Sequence, residues 1–247
     1  MLGKDLVAHM RESVLDDVVA PYLWTDVELL RDLNYGEVQA CRRAHLILDS
    51  STSSDSGTAA TAGTAGQRPL CSVPIIADQA VYVLSPKIIQ IKRCQLSNMA
   101  IPLAGPVSYP ELDETISGWF GTNGTVGTAG SGGEPTYFLN EPGNTLTLVR
   151  SPSVSCTARL VVSRLPLLPF TLQTSPEIDE QYHIDLCDWA AHLAFKKPDS
   201  DTLNIALSKD YEASFTAKFG PLPSAFSERA RRNISMQQRM RPREFGS

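Results

Sequence analysis

The stretch from Ser175 to Gly220 constrains the fold most, because it contains two helical patterns separated by a short break. Pro176 can occupy the first position of a helix behind a Ser175 cap, since an N–H at that position would have no partner within the helix. Apolar residues then recur at intervals of three or four, which predicts a helix with one buried face. These residues are Ile178, Tyr182, Leu186, Trp189, Ala190, Leu193 and Ala194, and the pattern closes at Lys196, Lys197 and Pro198.

A second helix is predicted directly after this one. Asp199 or Asp201 is its candidate cap, and Gly220 with Pro221 ends it. Its apolar positions are Leu203, Leu207, Tyr211, Phe215 and Phe219. Because the connection between the two helices is so short, we expect them to pack antiparallel.

The N-terminal region supplies further helices. Thr25 and Glu28 have the spacing of a capping box, which predicts that a helix begins there. Its predicted buried face contains Leu30, Leu33, Val38, Cys41, Ala44 and Leu48. A shorter amphipathic stretch with Leu6, Met10 and Val14 precedes it, and Tyr22, Leu23 and Trp24 are predicted to form an apolar staple. The chain is therefore expected to contain three long helices and one shorter helix.

The middle of the chain has a different pattern, with short segments that are rich in β-branched residues and bounded by Pro, Gly, Asn and Ser. These segments are Ala80–Leu84, Ile88–Leu96, Pro135–Asn140, Thr145–Arg150 and Cys156–Arg164. The short spacing between the last three favours antiparallel pairing. We therefore predict an α+β fold, in which the N- and C-terminal helices form an antiparallel bundle and an antiparallel β domain is inserted between them.

The predicted domains follow from these patterns. A helical bundle domain comprises residues 1–50 and 174–227, and a β-rich insertion domain comprises residues 70–173. Residues 50–67 and 118–133 are rich in Gly and Thr and cannot build a core, so we expect flexible loops there. The alternative is that these two loops become ordered against neighbouring subunits.

Composition narrows the class of protein. The chain has 247 residues and is 42% hydrophobic, which is enough for an ordinary core. Its apolar runs are shorter than the roughly 20 residues that a membrane helix needs, and its first residues lack the apolar core of a signal peptide. The five cysteines are scattered without close pairing, which predicts reduced thiols; they are Cys41, Cys71, Cys94, Cys156 and Cys187.

Charge is distributed unevenly along the chain. Residues 228–247 contain two glutamates and six arginines, Arg229, Arg231, Arg232, Arg239, Arg241 and Arg243, a local net charge of +4. Since the whole chain carries −5, the remainder carries −9. An acidic body disfavours general binding of nucleic acid, whereas a basic C-terminal arm suits an acidic protein cleft or a phosphate backbone. The alternative for the arm is a solvated tail.

Candidate chemistry is sparse. His183 and Cys187 lie one helical turn apart, as do Asp188 and His192. No further pair with metal-ligand spacing appears elsewhere in the chain. Ser131 lies in a Gly-rich loop that does not match a nucleophile elbow, and no phosphate-binding loop is present. We therefore predict no enzymatic activity, no metal and no cofactor; a hydrolase would require a paired carboxylate or a metal site.

The order of several structural motifs resembles that of the head-to-tail adaptor proteins of short-tailed bacteriophages. The motifs are Val19–Leu30, Glu37–Arg43, the end of the β region at Ser163–Pro166, Pro176–Ile178, His183, Trp189–Ala191 and the turn Lys197–Asp201. Together they span nearly the whole chain. The resemblance implies a virion structural protein, assembled in the host cytoplasm and located at the head-tail junction.

The same resemblance implies the partners. About twelve copies would form a ring beneath the portal protein, and the tail nozzle protein, with tail fibres as a further candidate partner, would assemble on that ring. Double-stranded DNA would pass through the ring without sequence-specific binding, and the arginines of the arm are the candidate portal contact. The alternative interpretation is another tail or baseplate component that contacts tail fibres or the host surface.

Overall fold

The computed structural model describes residues 1–55, 68–116, 119, 134–141, 144–198 and 202–232. The helices are α1 (Gly3–His9), continued by a π-helical turn (Met10–Leu15), α2 (Asp26–Ala44), α3 (Tyr109–Thr115), a 3-10 turn (Glu180–Tyr182), α4 (Leu186–Phe195), α5 (Ile205–Phe219) and α6 (Ala225–Arg232). The strands are β1 (Ile47–Asp49), β2 (Ser72–Ile75), β3 (Val81–Val83), β4 (Ile88–Leu96), β5 (Tyr137–Glu141), β6 (Thr145–Val149) and β7 (Cys156–Arg164). Helices and antiparallel sheets are both present, which confirms the α+β class.

The chain divides into two compact units. The helical unit comprises Met1–Asp49, Lys87–Ile89 and Ser163–Ser224, and therefore contains α1, α2, β1, α4 and α5. The sheet unit contains β2, β3, α3, β5, β6 and α6, with most of β4 and β7. Apolar residues from all four helices form the core of the helical unit, among them Leu6, Met10, Leu29, Leu33, Leu186, Ala190 and Phe215.

Helix α4 runs antiparallel to α2. The indole Nε1 of Trp24, just before α2, donates to the carbonyl oxygen of Ala194 at 3.3 Å, near the end of α4. At the other end of α4, the backbone of Leu186 lies against Gly36, where a Cβ would come within 3.2 Å of the Leu186 oxygen. Glycine at this position therefore allows the two helices to approach closely.

Helix α4 is also antiparallel to α5, as the sequence predicts. Three polar contacts join the helices in reverse order along the chain: His192 with Ser208, Asp188 with Ser214 at 2.7 Å, and Asp185 with Lys218 at 2.7 Å. Since α2 and α5 are each antiparallel to α4, they run in the same direction. Helix α4 is thus the central helix of this unit.

The predicted helix start at Pro176 is wrong, since α4 begins only at Leu186. The backbone N–H groups of Glu177 and Ile178 donate to the buried Glu37 carboxylate of α2, at 2.6 and 3.3 Å. Asp179 is then extended, with ψ 141°. A side chain from another helix therefore satisfies the N–H groups that Pro176 would have placed in a first helical turn.

Two other helix details differ from the prediction. The cap of α5 is Asn204, whose Oδ1 accepts from the Leu207 N–H at 3.1 Å; the predicted caps Asp199 and Asp201 lie outside the described residues. Helix α2 ends at Ala44, and its buried face is rotated relative to the predicted one; it includes Leu29, Leu33, Gly36, Glu37, Ala40 and Cys41. The predicted members Ala44 and Leu48 are exposed. The capping box of Thr25 and Glu28 is confirmed.

The strands form two sheets. One has the order β1-β7-β2, with β4 also paired to β7, and β2 pairs with β7 in the antiparallel register Ser72 to Arg159. The other is the antiparallel sheet β3-β6-β5. The strands β4 and β7 have their predicted bounds, whereas β1, β2 and α3 are not predicted by the sequence patterns. No helix within the described residues is long and apolar enough to cross a membrane.

Candidate assembly interface

The candidate arm lies partly within the described residues. Its first arginines, Arg229, Arg231 and Arg232, lie in α6. The remaining three, Arg239, Arg241 and Arg243, lie outside the part of the chain that the structure describes, as do most residues of the two Gly- and Thr-rich segments. The portal-contact role of the arm stays a prediction.

The candidate metal-binding side chains are engaged in internal contacts. The Nε2 atom of His183 lies 2.9 Å from the carbonyl oxygen of Ile178, and the Nδ1 atom of His192 lies 2.9 Å from the carbonyl oxygen of Ser208. Burial raises the pKa of the Cys187 thiol to about 12. Among the described residues, no group of three or more His, Cys, Asp and Glu side chains is placed to hold a metal ion. These residues therefore stabilise the packing of α4.

All five cysteines are free thiols, as the sequence predicts. Burial is the main cause that raises the pKa values of Cys41, Cys94, Cys156 and Cys187. A thiol with a raised pKa is a poor nucleophile near neutral pH, because little thiolate is present.

The stretch of residues 18–27, which includes the first two residues of α2, exposes large apolar side chains instead of burying them. Five of its ten residues are of this kind, with Val19 and Val27 the most exposed at 76% and 78%; the set is Val18, Val19, Tyr22, Leu23 and Val27. We call this set the apolar loop. The predicted staple is thus wrong for Tyr22 and Leu23, and only Trp24 is buried. Clustered exposed apolar side chains are typical of surfaces that bind another protein.

A buried arginine and its partner carboxylates brace the apolar loop. The guanidinium of Arg11 donates to Asp17 at 2.8 Å, to Asp26 at 2.7 Å and to the carbonyl oxygen of Trp24 at 2.7 Å. The Asp17 carboxylate in turn accepts from the backbone N–H groups of Leu23 and Trp24. Arg11 also lies 3.9 Å from the centre of the Tyr22 ring. The exposed side chains therefore stand on a braced loop, which lowers the entropy cost of binding.

The apolar loop continues into an open groove between α2 and α4. Arg31, Asp32 and Leu193 line this groove along its length, Lys197 lies towards one end, and Tyr35 lies towards the other. At the loop end, Lys197 pairs with Glu28 at 3.1 Å. The Thr25 N–H and Lys197 together lower the pKa of Glu28 to about 2, so this carboxylate stays charged.

A second exposed apolar group lies at the start of α5. Leu203, Ile205 and Leu207 are each 40% exposed or more, although Leu203 and Leu207 belong to the predicted buried face. The backbone N–H of Asn204 donates to the carbonyl oxygen of Phe195 at 2.9 Å, which attaches this turn to the end of α4. The helical unit therefore displays exposed apolar side chains at the starts of α2 and α5. Both of these helix starts lie beside the C-terminal end of α4.

A buried ion network stabilises the same unit away from these surfaces. Arg164 donates to Asp49 at 2.6 Å and to Glu177 at 2.5 Å. Burial opposes ionisation of Glu177, but hydrogen bonds from Arg164 and the Leu167 N–H lower its pKa on balance. Burial raises the pKa of the neighbouring Glu37 to about 7. The sequence does not reveal this network, because its members are far apart along the chain.

Comparison with known proteins identifies the family. No curated protein matches the chain at a significant level. The SU10 adaptor protein family matches it over residues 1–243, which is nearly its full length. This match confirms the resemblance seen in the order of the sequence motifs. The chain belongs to the SU10 adaptor protein family, a family of phage head-to-tail adaptors.

Proposed function

We propose that the protein forms a ring of about twelve copies between the portal and the tail nozzle of a phage. The family match over residues 1–243 carries this proposal, because it covers both the helical unit and the sheet unit. The braced apolar loop supports it, since a rigid apolar surface is what a structural subunit needs for contact with neighbours.

The ring encloses the channel through which double-stranded DNA passes. The chain outside the arm carries a net charge of −9, so a channel lined by it repels phosphate groups. Repulsion prevents the genome from adhering to the wall while it moves. We propose that the protein lines the channel in this passive way, without reading the DNA sequence.

The basic arm binds the portal in this proposal. Six arginines within residues 228–247 can each make two parallel hydrogen bonds to a carboxylate, which favours an acidic cleft on the portal protein. Helix α6 places the first three of these arginines at the start of the arm. We propose that the helical unit forms the ring and that the arm contacts the portal.

Binding to purified portal rings tests this proposal. Full-length protein and a variant without residues 228–247 are each mixed with portal rings from the same phage and separated by size-exclusion chromatography with light scattering. We expect the full-length chain to add mass to the portal peak, and the shortened chain to remain folded but leave that peak unchanged.

Two results would contradict parts of the proposal. Equal binding by the shortened chain would remove the portal role of the arm. Binding to tail parts but not to portal rings would favour the alternative, a tail or baseplate component that contacts tail fibres or the host surface.

A further inference from the structure

The outer side of α2 and the groove beside it form one open face of the helical unit. Val27 and Arg31 are 78% and 70% exposed, Tyr35 is half-exposed, and Val38 lines the groove with Leu193 of α4. We call this the α2 face. On α2 itself, the face combines large apolar side chains with the exposed cation Arg31, whose Nε already donates to Asp32 at 3.0 Å. It has the form of a groove that takes a helix.

Helix α5 presents a face of the matching kind. Its inner side is buried through Phe215 and Phe219, which pack against the core. Its outer side includes the exposed residues Ala206, Asp210, Ala213 and Ala217, which recur at intervals of four, three and four. We call this the α5 face. Small side chains let another helix approach closely, and Asp210 is an anion in the middle of them.

The two faces share one spacing. Val27, Arg31 and Val38 are separated by four and seven residues, and Ala206, Asp210 and Ala217 are also separated by four and seven. In a parallel alignment, each valine of the α2 face lies opposite an alanine of the α5 face, and Arg31 lies opposite Asp210. Large side chains thus meet small ones, and the Arg31 cation meets the Asp210 anion.

We propose that the α5 face of one copy packs against the α2 face of the next copy, and that this contact joins neighbouring subunits. The proposal rests on the ring described above and names the contact that builds it. The exposed Leu203, Ile205 and Leu207 at the start of α5 then approach the apolar loop at the start of α2 of the neighbour. A contact between two different faces repeats around a ring until every face is covered.

Symmetry supports the parallel alignment. Helices α2 and α5 run in the same direction within one copy, because both are antiparallel to α4. A ring of about twelve copies rotates each subunit by roughly 30° relative to the last. The direction of any helix therefore changes by at most about that angle from one copy to the next, so α5 of one subunit stays nearly parallel to α2 of its neighbour. The ring therefore requires that α5 and α2 of neighbouring copies run parallel, which is also the alignment that the residue spacing favours.

A charge exchange tests the contact. Copies with Arg31→Glu and copies with Asp210→Arg each place like charges opposite one another, so we expect either variant alone to lose ring formation on portal rings by roughly tenfold or more. When the two variants are mixed in equal amounts, copies can alternate so that every contact pairs opposite charges. We expect the mixture, and the double variant, to recover rings to within about threefold of the original protein.

A disulfide cross-link locates the contact independently. A chain with Val27→Cys and Ala206→Cys, oxidised on portal rings, should give a ladder of covalent oligomers, because a disulfide needs Cβ atoms about 4 Å apart. The matched control combines Val27→Cys with Leu222→Cys, which is also exposed but lies beyond the other end of α5. The control should give no ladder.

The outcomes separate this inference from the proposed function. Rings seen by electron microscopy without a ladder, or single charge variants that assemble normally, would overturn the α2–α5 contact and leave the adaptor function standing. Failure of the original protein to form rings on the portal would overturn both.

Discussion

Arg11 is the residue on which the apolar loop depends. Its side chain is almost fully buried with Asp17, and it also binds the backbone at Trp24. Replacing Arg11 with Ala leaves the Asp17 carboxylate buried without its partner, so we expect a loss of about 3–5 kcal/mol of unfolding free energy. Urea denaturation measures this loss. Arg31→Ala is the control, because Arg31 is 70% exposed and its loss should change stability by less than about 0.5 kcal/mol; equal effects of the two variants would contradict the role of Arg11.

Glu37 should make the stability of the helical unit depend on pH. Burial raises its pKa from 4.5 to about 7, so the folded state binds a proton more tightly than the unfolded state. The resulting stabilisation is complete below about pH 4.5 and is lost as the pH rises through about 7, with a total on the order of 3 kcal/mol. We expect Glu37→Gln, which resembles the protonated form, to remove this decline between pH 5 and 8. Denaturation midpoints of both proteins across that range would show parallel slopes if Glu37 were not the cause.

At the scale of secondary-structure elements, α2 and α4 approach closely at Gly36. A Cβ at Gly36 would lie 3.2 Å from the Leu186 carbonyl oxygen and 3.3 Å from the Trp189 Cβ, which are both held in the core. Gly36→Val should therefore push the helices apart and cost about 2 kcal/mol or more. Ala44→Val, at an exposed position of the same helix, should cost less than about 1 kcal/mol. Similar thermal midpoints for both variants would show that the contact is not tight.

The capping box of Thr25 and Glu28 stabilises the start of α2, which supports the apolar loop. The Thr25 hydroxyl oxygen accepts from the Glu28 N–H at 3.2 Å, and the Glu28 carboxylate accepts from the Thr25 N–H at 3.0 Å. Thr25→Ala should cost about 1 kcal/mol, whereas Thr25→Ser keeps the acceptor and should cost much less. Calorimetry of the two variants compares them directly, and an equal loss would assign the effect to packing of the methyl group.

Local signals explain which elements the sequence predicts. The capping box, the C-terminal Gly220 and the β-branched runs of β4 and β7 are local, so these features have their predicted positions. The start of α4 is displaced because Glu37, about 140 residues away in the chain, binds the backbone that a helix would have used. The apolar loop is not predicted as a surface, because its brace through Arg11 depends on tertiary structure. The sequence identifies the apolar residues of this stretch but does not show which of their side chains face solvent.

At the scale of the whole molecule, the exposed surfaces fit the proposed assembly role. Buried histidines and thiols pack the core of the helical unit, while exposed apolar side chains stand on a braced loop and on the start of α5. The family match spans both units. The proposed portal role of the arm rests on its charge alone. Deletion of residues 228–247 therefore separates portal binding from folding most directly.

Electron microscopy of the protein bound to portal rings tests the central claim most directly. Portal rings from the same phage are imaged with the protein, without it, and with the protein alone. The account predicts added density stacked coaxially on one face of the portal, in a closed ring whose subunits touch through α2 and α5. Clear images of portal rings without added density, at concentrations where both proteins are folded, would contradict the adaptor function.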